Sequence, residues 1–147
     1  MRSSISKKIK KLDSRVYVIV GDGECNEGSV WEAMMFAKRY ELDNLTIIID
    51  RNRLQSYGHD EDVLNMSNMA DKVKSFGMNV YDIDGHSVDE LYDAFVDASK
   101  VKGKASVIVA NTIKGKGCSV FEDKVLWHYK WPEKEHYEQA LVELEEA

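Results

Sequence analysis

Four apolar runs set the strongest limit on what this chain can fold into. Val16–Val20, Leu45–Ile49, Val80–Ile83 and Ser106–Ala110 are rich in β-branched and aromatic residues, and most of them are apolar on both faces. Runs of this length and composition predict buried strands. Amphipathic stretches alternate with them. Ser29–Tyr40, Met66–Phe76 and Val88–Ser99 read as helices, with Ser29 and Ser87 as N-caps, and Pro132 opens a last helix at Glu133–Leu144. Strands apolar on both faces that alternate with helices predict an α/β fold: a doubly wound parallel sheet with helices on both faces. The length of 147 residues fits one domain.

Charge and cysteine usage exclude several classes. The net charge is -6 and the isoelectric point is about 5.2, so the chain lacks the basic footprint of a nucleic-acid binder. The cluster of Lys7, Lys8, Lys10 and Lys11 reads as a solvated helix face. Cys25 and Cys118 are the only cysteines; two thiols make no disulfide framework or zinc site and fit a reducing, cytoplasmic setting. Cys25 stands near a helix start, where a thiol pKa can fall, although no base neighbours it in sequence. No stretch is apolar for long enough to suggest a membrane span. The Ser-rich, basic N-terminus has no apolar signal core and reads as part of the fold.

Ligands of such sheets bind beyond the C-terminal ends of the strands. Here those ends are followed by Gly21-Asp22-Gly23, Asp50-Arg51-Asn52, Asp84-Gly85-His86 and Asn111-Thr112-Ile113-Lys114. Turn chemistry alone favours Asp, Asn and Gly at such places, but the first segment is more particular. Glycines between a strand and a helix N-terminus let backbone N–H groups approach a phosphate. No Lys follows Gly28, so this is not a P-loop, and Asn26 stands where a dinucleotide fingerprint needs glycine. A carboxylate facing bare phosphate is repulsive; with a divalent cation between them it makes sense. Asn52, one strand later on the same rim, supplies a second hard oxygen suited to Mg2+ or Ca2+. The residues therefore predict a divalent cation bridging Asp22, Asn52 and a diphosphate.

GDG followed one strand later by Asn resembles the motif of thiamine diphosphate enzymes. The longer segments GDGECNEGSVWEAMMFAKRYELDNLTIIIDRNRLQSYG, FGMNVYDIDGH, VIVANTIKGKGCSVFED and WHYK resemble the transketolase family across nearly the whole chain. The resemblance implies thiamine diphosphate and Mg2+ as cofactors, with Ca2+ as the alternative metal. It implies that Asp22, the Asn52 side chain and the Leu54 carbonyl ligate the metal. It places Gly21, Gly23 and Glu24 at the cofactor, with the Gly23 amide on the diphosphate, and makes Lys114 part of a loop lining the pocket. It implies catalytic roles for His128, near the diphosphate and the donor carbons, and for Glu27 and Glu32, acids that connect two active sites of a dimer. Without the resemblance, Glu27 and Glu32 read as acids favoured near a helix start, and His128, between Trp127 and Tyr129, as a packed or surface side chain. His59, His86 and His136 read as structural or surface residues.

The resemblance also implies departures. Family members carry a first sheet strand and cofactor-contacting loops before the position of Arg15, and a pyrimidine-binding domain that this sequence does not include. Tyr129 stands where a small glycine is usual. The expectation is a partial thiamine-diphosphate-binding domain acting as one subunit or fragment of a transketolase-type enzyme, supporting two-carbon ketol transfer between sugar phosphates. It would work as a homo- or hetero-oligomer with a pyrimidine-binding domain on another chain or segment. The alternatives are a truncated copy and a non-catalytic relic or interaction module. An unpaired sheet edge is expected to make the isolated chain oligomeric or marginally stable.

Overall fold

The computed structural model describes residues 2–145. Six helices and six strands follow in the order α1 (Arg2–Ile9), β1 (Val16–Gly21), α2 (Gly28–Arg39), β2 (Leu45–Arg51), β3 (Leu54–Gln55), β4 (Gly58–His59), α3 (Asp60–Val63), α4 (Met69–Ser75), β5 (Asn79–Asp84), α5 (Val88–Lys100), β6 (Ser106–Asn111) and α6 (Lys134–Glu145). Short 3-10 turns cover Glu24–Asn26 and Val125–His128.

The four predicted strands form one sheet in the order β1-β2-β6-β5, and every neighbouring pair is parallel. The expected α/β parallel sheet with helices on both faces is therefore present. Side chains alternate across each strand. On one face Val18, Ile47 and Val107 stand in register, followed by Val20, Ile49 and Val109. These residues form the main core with Ile5 of α1, Met34 and Ala37 of α2, and Met69 and Val73 of α4. On the other face α5 packs against β5 and β6, and its Phe95 meets Tyr17 of β1 edge to face at 5.8 Å. That face is less covered at the β1 edge, where Ile19 is 74% exposed.

The end of the sheet opposite the strand C-termini is fastened by Arg15. Its guanidinium donates to the carbonyls of Ala98 (2.9 Å) and Ser99 (3.0 Å) at the end of α5, and to that of Asp43 (3.1 Å) ahead of β2. Helix C-terminal carbonyls lack intrahelical partners, so these bonds cap α5. Lys8 of α1 pairs with Asp43 at 3.4 Å, so this member of the basic run ties α1 to the body.

The helix boundaries differ in instructive ways. Ser87 caps α5 as predicted, its hydroxyl accepting from the Glu90 N–H at 3.2 Å. Ser29 does not cap α2; Glu27 holds the N-cap position, without a side-chain cap bond, because the 3-10 turn before it leads into the helix earlier. α4 begins at Met69 rather than Met66, since Asn68 adopts a left-handed conformation (φ 55°) that breaks the helix there. The β3–β4 hairpin and α3 lie in the stretch between β2 and α4, for which no element was predicted.

Met34 is fully buried in the centre of the α2–sheet contact. Met34→Ala is expected to lower unfolding free energy by about 2–5 kcal/mol, measured as a shift of the urea midpoint at unchanged slope.

Candidate functional site

The parallel register carries the four strand ends to one rim. Gly21 lies opposite Asp50, and Arg51 and Asp84 lie on either side of Asn111. β1 turns directly into the Gly21-Asp22-Gly23 segment, and β2 into Asn52 and the β3–β4 hairpin. Between them lies a cavity of about 340 Å³, whose walls include Gly21, Asp22, Gly23, Glu24, Asn52, Leu54 and His128. All the predicted metal donors therefore border one space, together with most of the predicted cofactor contacts.

Asp22 is 2% exposed. Its Oδ1 accepts from the Gly23 N–H and its Oδ2 from the Arg53 N–H, both at 2.6 Å. The carboxylate thus joins the end of β1 to the turn after β2. Burial pushes its pKa above the ordinary 3.8; the two N–H groups oppose that rise, and the nearby charges of Asp60 and Asp50 add to it. Arg53 reaches Asp22 by adopting a left-handed conformation, φ 62°, which costs a non-glycine residue about 1–2 kcal/mol. Asn52 shapes the same turn, its Oδ1 accepting from the Leu54 N–H at 2.9 Å. His128 Nε2 lies 3.2 Å from the Leu54 carbonyl. Since a carbonyl only accepts, Nε2 carries the proton. A side chain added at Gly21 would meet nothing within 4 Å, so backbone is open to the cavity there. Glu24 is exposed, and its Oε2 accepts from the Gly21 N–H at 3.3 Å.

The remaining predicted residues sit elsewhere. Lys114 borders a neighbouring cavity of about 450 Å³, with Asp50, His86 and Thr112; Asn52 lies on both. Glu27 and Glu32 are exposed on the α2 side and line neither cavity. Tyr129 is 68% exposed. Cys25 differs from the lowered pKa that its place near a helix start allows. It is fully buried, and burial together with the charges of Asp22 and Glu24 pushes its thiol up to about 12.

Other participants were assigned no role from the sequence, although Arg51, His86 and Asn111 stand in its strand-end segments. Arg51 and Asp60 form a buried ion pair at 3.8 Å behind the rim, and Arg51 also donates to Asn111 Oδ1 at 3.3 Å. His86 Nε2 accepts from the Ile113 N–H at 2.8 Å and so ties the end of β5 to the Lys114 segment. Gln55 lines the Asp22 cavity and is 8% exposed.

Residues 4–131 match the family model for the transketolase thiamine diphosphate binding domain. This chain belongs to the transketolase family. It is 38% identical over 143 residues to an apulose-4-phosphate transketolase subunit of Phocaeicola vulgatus, covering 97% of this chain and 51% of that protein. It is 39% identical over 142 residues to the 6-deoxy-6-sulfo-D-fructose transketolase subunit SqwG of a Clostridium species, covering 97% and 52%. Human transketolase is 43% identical over 138 residues, covering 94% of this chain and 22% of the human protein. The chain thus spans about half the length of the two bacterial subunits. Among solved structures, transketolase from Campylobacter jejuni superposes with a TM-score of 0.76 at 28% identity, covering 85% of this chain and 20% of that one.

Two outcomes are expected of the metal-free chain. Because the folded pKa of Asp22 is raised, its contribution to stability is fully present below 3.8 and is lost as pH rises through the folded value. The melting temperature of wild type relative to Asp22→Asn should therefore fall over that rise, as followed by circular dichroism. Thiol labelling at neutral pH should modify the partly exposed Cys118, and Cys25 only after denaturant is added.

Proposed function

We propose that this chain is the metal- and diphosphate-binding part of a transketolase-type transferase acting on sugar phosphates. One observation carries the proposal: the Asp22 carboxylate, the Asn52 amide and the Leu54 carbonyl border one cavity beside His128.

The donor set fits a hard cation. It holds one carboxylate and two neutral oxygens, and among the described residues no group of three His, Cys, Asp or Glu side chains is placed to hold a metal. Such a set leaves coordination positions for phosphate oxygens and water, the manner in which Mg2+ is commonly held; Ca2+ uses the same donor types. The cation would also neutralise a carboxylate whose burial already disfavours its charge.

When bound, thiamine diphosphate supplies the electron sink for breaking and remaking the carbon–carbon bond beside a ketose carbonyl. The residues of this chain bind and orient. Asp22, Asn52 and the Leu54 carbonyl would fix the cation, and the open backbone at Gly21 would receive the diphosphate beside the Gly23 turn. His128 lines the cavity and, through its Nε2 contact with the Leu54 carbonyl, would orient that oxygen. Lys114 would add positive charge from the adjoining cavity. Glu27 at the N-cap of α2 and Glu32 within it, both exposed, would meet a second chain, in keeping with a dimer-linking role. The pyrimidine-binding domain would come from another chain or segment, in a homo- or hetero-oligomer; the names of two relatives, both of them transketolase subunits, support this. The two free thiols fit a cytoplasmic setting.

Calorimetric titration of Mg2+ and thiamine diphosphate into the chain tests the proposal. Wild type should bind, and Asp22→Ala and Asn52→Ala should each weaken binding at least about 100-fold, or about 2.7 kcal/mol. Binding indifferent to both substitutions would refute the assigned site and favour a relic or interaction module.

A further inference from the structure

His86 is built as a hydrogen-bond acceptor aimed at the segment that carries Lys114. The end of β5 presses against the exit of β6: the Gly85 N–H donates to the Asn111 carbonyl at 2.8 Å, and a Cβ built at Gly85 would lie 2.5 Å from Thr112 Cγ2. Glycine, with no Cβ, permits that approach. The His86 N–H donates in turn to Asp84 Oδ1 at 2.9 Å, and the Asp84 N–H to Glu90 Oε2 of α5 at 3.0 Å. The imidazole so placed receives the Ile113 N–H on Nε2 at 2.8 Å. A nitrogen that accepts carries no proton, so the proton of the neutral ring is on Nδ1.

The tie falls where the segment begins. Lys114 follows Ile113 directly, and the segment closes on itself where the Asp123 N–H donates to the Lys114 carbonyl at 2.9 Å. Its middle is held separately by Glu143 of α6, whose Oε2 and Oε1 accept from the Ser119 N–H and hydroxyl, each at 2.6 Å. The Lys114 end is held by His86. Both residues border the cavity of about 450 Å³, and Asn52 borders that cavity and the Asp22 cavity alike. A neutral ring holds the backbone beside Lys114 in place. A protonated ring would turn a donor toward the Ile113 N–H, and its charge would share the cavity with those of Lys114 and Lys116.

We propose that His86 is a positioning residue of the site: through the Ile113 N–H, its neutral imidazole fixes the backbone that brings the Lys114 ammonium to the diphosphate. The inference rests on the metal–diphosphate function proposed above. It makes diphosphate binding sensitive to pH where histidines change charge, roughly pH 5 to 8. The other charged groups around the ring come from every element packed there. Asp84 and Glu90 stand on its own side. Asp50 at the end of β2 shares the smaller cavity with Lys114 and Lys116. Arg53, His59, the α3 acids Asp60, Glu61 and Asp62, and then Glu122 and Asp123, line a larger cavity of about 810 Å³ with it. All of these are unchanged when His86 alone is replaced.

The test uses the full chain, with Mg2+ and inorganic pyrophosphate titrated by calorimetry across that pH range. His86→Gln keeps an acceptor near the position of Nε2 and cannot titrate, and His86→Ala removes the acceptor. At about pH 8, where a histidine is ordinarily neutral, His86→Gln should bind as wild type does. His86→Ala should bind about threefold to tenfold more weakly, the worth of one hydrogen bond. On acidification to about pH 5.5 the ratio of wild-type to His86→Gln affinity should fall by a similar factor; taking the ratio cancels protonation of pyrophosphate and of the neighbouring groups. On a Lys114→Ala background, His86→Ala should cost nothing further. A ratio that is constant with pH, or a His86→Ala loss that persists in full without Lys114, would overturn the role of His86; with Asp22→Ala still deficient, the proposed function would stand. A ratio that rises on acidification would make His86 a direct phosphate ligand and overturn the positioning role likewise. Wild type that does not bind the probe, or binds it regardless of Asp22, would remove the proposed function and this inference with it.

Discussion

A single buried carboxylate holds the rim together. Asp22 takes one N–H from its own turn and one from the turn after β2, so two loops from different strands share one anion. The Arg53 backbone is left-handed where it makes that bond, and Asn52 closes the same turn through Leu54. The Leu54 carbonyl in turn anchors His128, which arrives from far along the chain. Each of these groups depends on the parallel register, which sets Gly21 opposite Asp50. A slip of one residue in that pairing would move Asp22 to the other face of the sheet.

Electrostatics gives this arrangement its direction. The two N–H groups only partly offset the burial of Asp22, whose pKa stays raised, and Asp50 and Asp60 increase the negative charge nearby. Arg51 pairs with Asp60 from behind, at a distance where the attraction is modest against the cost of burying both groups. Negative charge with hard oxygens on an open cavity is a setting suited to a small cation. The family model that residues 4–131 match is that of a thiamine diphosphate binding domain.

Much of this was legible in the sequence. The four strands stood out because both of their faces are largely apolar, and Asp22 stood out because a carboxylate between two glycines at a strand end has few structural uses. The β3–β4 hairpin was not legible. Its strands are two residues long, and it is held by the left-handed Arg53 and the Asn52 side chain rather than by any hydrophobic pattern. The start of α2 was misplaced because a 3-10 turn, invisible to helical periodicity, precedes it. Gln55 was missed for a related reason: a lone Gln in a polar stretch carries no signal until the turn folds it against Gly23. Glu27 and Glu32 stay outside the cavity, so nothing within this chain expresses the roles that family resemblance implies for them.

Arg15 and the Asp22 cluster lie at opposite ends of the same strand. One guanidinium gathers the carbonyls of Ala98, Ser99 and Asp43, latching α5 and the entry to β2 at the pole away from the rim. The division of labour this creates is spatial. Loops at the rim can lengthen, shorten or change chemistry while the latch keeps the layers aligned, so the rim can be re-equipped without the scaffold being rebuilt.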